Sequence, residues 1–333
     1  MFILTDFSAS EADSSRRNRP RLPRLETCLS RADRSELDSE WRGWLAASAA
    51  RSELSGFSPA AIVGAAFRAS ALTKPESTGC WLATPVHYFA GLDSVHLHPF
   101  GLLSLSADEQ QMLAADFARV FSDSSWRLEL LGQRELLLAG PPLEACAADP
   151  SLFLGGDPSA GLPRGEGAGA LRRLGSEIEM WLYEHRVNQS RQARGELPVT
   201  ALWFWGSKPP KLPATFTKLT RPQLFGSDVY AQALWQLQGR QTLGLSAALD
   251  EINRVPMRLV SDTVVLYACL PHGGMVEGLM RFEQQCVTPS LRALRRRRLS
   301  SLRIIAGSNI FSCSMLHLSR FWRRSAAWWE VLV

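Results

Sequence analysis

Long apolar runs are missing from this chain. Nowhere do 18 consecutive apolar residues occur, so no membrane-spanning helix is expected. The opening stretch MFILTDFSASEADSSRR has a short apolar start followed by acids and serines. It lacks the basic-then-apolar order of a secretory leader, so a cytoplasmic location is expected. Histidine is scarce, six residues in 333, and no C-x-x-C pair exists, which counts against a structural zinc site. The six cysteines (Cys28, Cys80, Cys146, Cys269, Cys286, Cys313) are far apart in a chain large enough to fold without staples, and read as reduced thiols. A G-x-G-x-x-G fingerprint is also lacking. RGEGAGALRR (164–173) comes nearest, and it reads as a helix entrance rather than a phosphate cradle. No internal repeat is found.

What is present is an ordinary globular composition, 46% hydrophobic and 21% charged, with a net charge of +5. Ten arginines against three glutamates give residues 276–333 a local +7, so the rest of the chain is near −2. Arg295 to Arg298 and the stretch RFWRRSAAWW mix cations with aromatics, as nucleic-acid surfaces do. A solvated helix end, followed by an element docked through its tryptophans, explains them without a partner. With no recognisable binding module and a slightly acidic remainder, nucleic acid is not the expected ligand.

The pattern predicts a mixed α/β (α+β) fold, an N-terminal helical region followed by a mixed sheet covered by helices. Residues 1–20 read as a disordered tail and 21–75 as the helical region, with helices at 22–33, 35–52 and 58–72. Ser58 and Pro59 mark the start of the last of these. Residues 76–333 read as the α/β domain: two strands around the Gly-Leu-Asp turn at 91–93, a capped helix over 106–123, a hairpin from WRLELL and ELLLAG, and a long helix from about 167. TALWFWG (200–206) is a strand. Further helices are expected near 227–238, 245–252 and 275–295, with strands at 262–270, LRIIAG and IFSCSM. The Pro- and Gly-rich stretch 140–168 reads as a joint between two lobes.

Three places could carry chemistry. A continuous helix through 177–191 would align Glu177, Trp181, Glu184, Asn188 and Arg191 on one stripe. Glu177, Glu184, His185, Asn188, Arg191 and Arg194 are the candidate ligand-binding residues, suited to a phosphate or carboxylate. The same residues could instead form salt bridges and caps, and this structural reading carries more weight. His96 and His98 share a strand face as a metal pair would, but no third ligand is evident. Cys269 and His272 in CLPHGG could meet as nucleophile and base, although a turn with a buried thiol is the simpler reading.

The pattern His185, Val187, Asn188, Arg191, Gly195, Pro198, Gly206 resembles the H-P-V-N-x-x-R-x-x-x-G-x-x-P-A-N…R-G segment of archaeal-type cofactor-independent phosphoglycerate mutases. Here Arg186 replaces Pro, Val199-Thr200 replaces Ala-Asn, and Trp205 replaces the Arg before the Gly. That resemblance implies a serine nucleophile and two metal ions held by Asp and His, with Mn or Mg as cofactor. However, this chain lacks the Asp-Gly-x-Gly-Asp opening and the Asp-x-x-x-His pair. A longer resemblance, through 84–109, 148–206 and 320–333, is to the proteobacterial regulatory proteins of the RpfE type. It implies a regulatory or interaction protein without an intact catalytic site, needing no cofactor and binding an anionic small molecule or a protein partner. The alternative it leaves is a 2,3-bisphosphoglycerate-independent mutase-like phosphotransfer enzyme. No catalytic residue follows from the regulatory family.

Overall fold

The computed structural model describes residues 1–5, 19–37, 41–47, 54, 56–70, 79–91, 93–131, 135–207, 223–244, 263–268 and 274–332. The expected helix at 245–252, the Cys269–His272 pair and most of the expected tail lie outside them. The chain divides into two compact units. Residues 1–56 and 217–333 form the first, and residues 57–216 form the second, inserted in the sequence between the halves of the first.

The chain opens with β1 (Phe2–Thr5), α1 (Pro23–Arg31), β2 (Asp33–Glu36) and α2 (Trp41–Leu45). It then enters the second unit with α3 (Pro59–Ser70), β3 (Gly79–Ala90), β4 (Val95–Leu102), α4 (Ala107–Val120), β5 (Arg127–Leu130), β6 (Leu136–Gly140) and β7 (Cys146–Ala147). Two 3₁₀ turns, α5 (Ala168–Tyr183), α6 (Arg186–Ala193) and β8 (Ala201–Ser207) complete that unit. The first unit resumes with β9 (Gln223–Phe225), α7 (Val229–Leu237), β10 (Thr263–Ala268) and α8 (Gly274–Phe282). A π-helical turn (Glu283–Val287) follows, then α9 (Thr288–Arg295), β11 (Ser301–Ala306), β12 (Asn309–Ser314), α10 (Met315–Leu318) and α11 (Trp328–Val331). This is the mixed α+β architecture expected.

In the first unit the strand order is β2-β12-β11-β1-β10-β9. β1 pairs in parallel with both β10 and β11, which places Phe2-Ile3-Leu4-Thr5 at the centre of the sheet, with all four residues buried. Residues 2–5 are therefore a strand where a tail was expected. A central parallel strand is covered on both faces, so it reads as an unbroken apolar run rather than as an alternation. Residues 33–36 are likewise a strand and not a helix start. All four side chains of Asp-Arg-Ser-Glu are exposed, and the segment forms the sheet edge beside β12, where charge deters further pairing. Leu25, Cys28 and Leu29 of α1 join Phe2, Leu4, Phe282, Phe311 and Trp328 in one core.

The second unit carries the order β5-β6-β3-β8-β7, with β4 also on β3, all pairings antiparallel. Both expected hairpins are present. Trp81, Phe117, Leu138, Leu171, Ile178 and Phe204 share its core. Gly206, the next-to-last residue of β8, has φ 95°, and a Cβ there would stand 2.4 Å from that of Ala60 in α3, so only glycine admits this approach. The expected joint at 140–168 lies wholly within this unit. Its prolines and glycines form 3₁₀ turns, capped by Asp149 and Asp157, which lead the chain from β7 into α5. Among the described residues no helix is long and apolar enough to cross a membrane.

Candidate functional site

The segment 177–206 is two helices, not one. α5 stops at Tyr183, and His185 adopts extended backbone (φ −69°, ψ 137°) as the N-cap of α6. Its Nδ1 accepts the Val187 N–H at 3.2 Å. An imidazole acting as a helix cap breaks the continuous stripe predicted from spacing. Glu177 stays on the solvent side, paired with Arg173 at 3.1 Å. Glu184 is exposed, and its backbone carbonyl accepts from Gln189 Nε2 at 3.3 Å. The new helix axis turns Asn188 and Arg191 inward, to 4% and 5% exposure. Of the six predicted residues, the structure thus gathers His185, Asn188, Arg191 and Arg194 and leaves Glu177 and Glu184 apart.

The gathered residues are consumed by the fold. Asn188 Nδ2 donates to the carbonyls of Leu182 (2.7 Å) and Val199 (2.8 Å), while its Oδ1 accepts the Val199 N–H (2.7 Å). One side chain thereby fastens the end of α5 to the residues leading into β8. Arg191 Nε donates to the Leu197 carbonyl (2.8 Å), and its Nη1 reaches both carboxylate oxygens of Glu109 (3.1 and 3.2 Å) and the Ser104 carbonyl (3.3 Å). Gly195, at φ 71°, makes the turn that brings Leu197 back over Arg191. Arg194 donates to Glu109 (2.6 Å) and, through Nε and Nη2, to both oxygens of Glu196 (3.0 Å each). Hydrogen bonds donated to Glu196 and Glu109 raise the Arg194 pKa. Two cations thus meet two carboxylates, leaving no net positive charge for an anionic ligand.

Glu109 is in addition the N3 residue of a capping box on α4: Ser106 Oγ accepts its N–H, and its Oε2 accepts the Ser106 N–H at 2.8 Å. A capped helix was expected over 106–123, but the role of Glu109 as counter-ion to Arg191 could not be read there. Asp116 was missed altogether. Its Oδ2 receives Arg186 Nε (3.1 Å) and its Oδ1 Arg119 Nη2 (3.0 Å), while His185 Nε2 lies 3.2 Å away without the alignment of a hydrogen bond. Burial lowers the His185 pKa, with Arg186 and Arg119 adding to the effect and Asp116 opposing it. With Nδ1 occupied by its own helix, the imidazole can take up a proton there only by giving up the cap.

His96 and His98 do share β4, but as part of an aromatic ladder. Phe89 stacks on His96 at 5.5 Å and meets His98 edge-on at 5.7 Å. His98 Nδ1 accepts the Phe100 N–H, and His96 Nε2 lies 3.1 Å from Ser94 Oγ. Among the described residues no three His, Cys, Asp or Glu side chains are grouped to hold a metal. At the other end of the chain, Trp328 is fully buried, with its indole N–H on the Pro20 carbonyl (3.1 Å), as docking through tryptophan predicts. Trp322 instead stands exposed.

No family model and no curated protein matches the chain. Among solved structures it is similar to a cofactor-independent phosphoglycerate mutase from Thermoplasma acidophilum DSM 1728, at 15% identity and a TM-score of 0.36, over 94% of this chain and 89% of that one. It is also similar to the PH0037 protein from Pyrococcus horikoshii, at 10% identity and a TM-score of 0.43, over 94% and 86%.

Proposed function

We propose that the chain is a cytoplasmic regulatory or interaction protein of the RpfE type that binds an anionic small molecule or a protein partner and carries out no phosphoryl transfer. The observation supporting this reading is the internal saturation of the mutase-like segment. Asn188 spends its acceptor and both donors, and Arg191 faces Glu109 and backbone carbonyls, so the groups a phosphotransfer site would offer to substrate serve the fold. Ligand contact by the predicted cluster is then confined to its rim, where Arg194 is half-exposed.

The competing reading, a 2,3-bisphosphoglycerate-independent mutase-like enzyme, rests on the sequence motif and requires Mn or Mg. A coupled assay of 2- and 3-phosphoglycerate interconversion, run with each metal, separates the two. No turnover by the full chain is expected. Metal-dependent turnover that falls in Arg194→Gln, a variant that keeps the buried Arg191–Glu109 pair, would overturn the proposal.

A further inference from the structure

In the first unit a cleft of about 390 Å³ opens between α1, α9 and α10, within the size range of small-molecule sites. Its apolar floor comes from Leu291, Met315 and Leu318, its rim carries Arg24, Arg31 and Arg295, and no carboxylate lines it. Arg31 is fixed in place, Nη1 donating to the Leu318 carbonyl at 2.5 Å. The guanidinium groups of Arg24 and Arg295 make no hydrogen bond or ion pair among the described residues. The carboxylate nearest in influence to Arg24 is Glu283, which is buried, spends Oε1 on the Arg24 backbone N–H (3.3 Å) and is held above its ordinary pKa by desolvation. A rounded cleft of this volume is roughly 9 Å across, inside one Debye length, and no carboxylate stands in its lining between the three arginines.

We propose that this cleft binds a small amphiphilic anion: a phosphate or carboxylate head held by Arg24 and Arg295 beside Arg31, with a short apolar body lying on Leu291, Met315 and Leu318. The planar guanidinium forks suit a tetrahedral or planar oxyanion, and the floor gives the apolar body a surface to cover. A bare anion would leave that floor wet, and a neutral apolar ligand would leave the charges unrelieved. The same head group can come from a soluble molecule or from a lipid. Beyond Met315 the chain exposes Leu316, Phe321 and Trp322, at 80, 81 and 66%, so both sources are tested.

Titration calorimetry of the full chain with octyl phosphate tests the site, with inorganic phosphate and octanol as controls. Saturable binding of octyl phosphate is expected, weaker binding of either control, and a loss of roughly tenfold for Arg24→Gln and for Arg295→Gln. Both side chains are exposed and unpaired, so the variants keep their fold. No saturation, or equal affinity in the double variant, would overturn the proposal. Phosphatidylcholine vesicles containing phosphatidic acid identify the source. Binding to them that the double variant abolishes supports the site with lipid as ligand, whereas octyl phosphate binding without vesicle binding supports it with a soluble one. The inference deepens the anion-binding reading given above and rests on it. The tests stay distinct, because phosphoglycerate turnover would arise from the second unit and leave the cleft result untouched.

Discussion

Removing the Asn188 side chain should cost the second unit a large share of its stability. Asn188→Ala deprives three backbone groups of a partner. Leu182 O keeps the His185 N–H, so the orphans are the N–H and C=O of Val199, a residue with no exposure. At about 1–3 kcal/mol for each of the two unsatisfied buried groups, the loss is about 2–6 kcal/mol. With a urea slope of about 2 kcal/mol/M, the midpoint should fall by roughly 1–3 M. Asn188→Asp preserves the acceptor for the Val199 N–H but sets a carboxylate oxygen against two carbonyls, so it should be at least as harmful at neutral pH. It should recover in part in acid, where the protonated carboxyl regains a donor. Urea titrations of the full chain, followed by circular dichroism and tryptophan fluorescence, measure both; Trp181, packed on His185 at 4.6 Å, lies beside the perturbed joint. A midpoint for Asn188→Ala within about 0.3 M of wild type would refute the structural assignment and restore Asn188 as a candidate ligand residue.

Two further outcomes follow from the same geometry. His185 has its pKa depressed in the fold, so the unfolded chain binds the extra proton. Its contribution to stability is therefore complete above about pH 6.5 and is lost as pH falls toward the folded value. His185→Asn keeps a cap for the Val187 N–H, and its melting temperature should depend less on pH between 5 and 7, whereas an unchanged slope would show that His185 does not carry that dependence. Arg297 follows α9 at φ 56°, and the N–H groups of Arg297 and Arg298 close back on Leu294 and Ala293, the arrangement in which glycine is usual. Arg297→Gly should relieve about 1 kcal/mol of left-handed strain and raise the melting temperature by a few degrees; a lower melting temperature would mean that the arginine side chain contributes more than its backbone costs.

The features legible in the sequence were those set by neighbouring residues. The capped helix at 106–123, the Ser58-Pro59 helix start and the strand at 200–206 depend on chemistry within a few positions, and the structure has them as α4, α3 and β8. The Asp33–Glu36 strand was invisible because its residues have no β preference and are held by β12, to which Arg34 Nε also donates at Asn309 Oδ1 (2.9 Å). The break at His185 was hidden because imidazole is not among the usual helix caps. At the candidate site, sequence spacing drew attention to Asn188 and Arg191 but could not say which way they point. Their partners, Val199 and Glu109, become neighbours only when β3, β8 and α4 are assembled. The two-unit division was placed wrongly, since Pro and Gly accumulate at 140–168, inside a unit, while the four prolines of 207–222, where the second boundary falls, were not read as a joint.

The central strand of the first unit has a consequence for how the molecule is made. Phe2 lies opposite Val265 and Ile304, so this strand must wait for partners that are synthesised after the whole of residues 57–216. The inserted unit has all its own strands in hand by then and can close first, because its contacts are comparatively local. During synthesis, Phe-Ile-Leu-Thr is an unpaired apolar segment, open to chaperones and to mispairing. Truncations ending before β11 should therefore yield an ordered insert flanked by an unformed sheet.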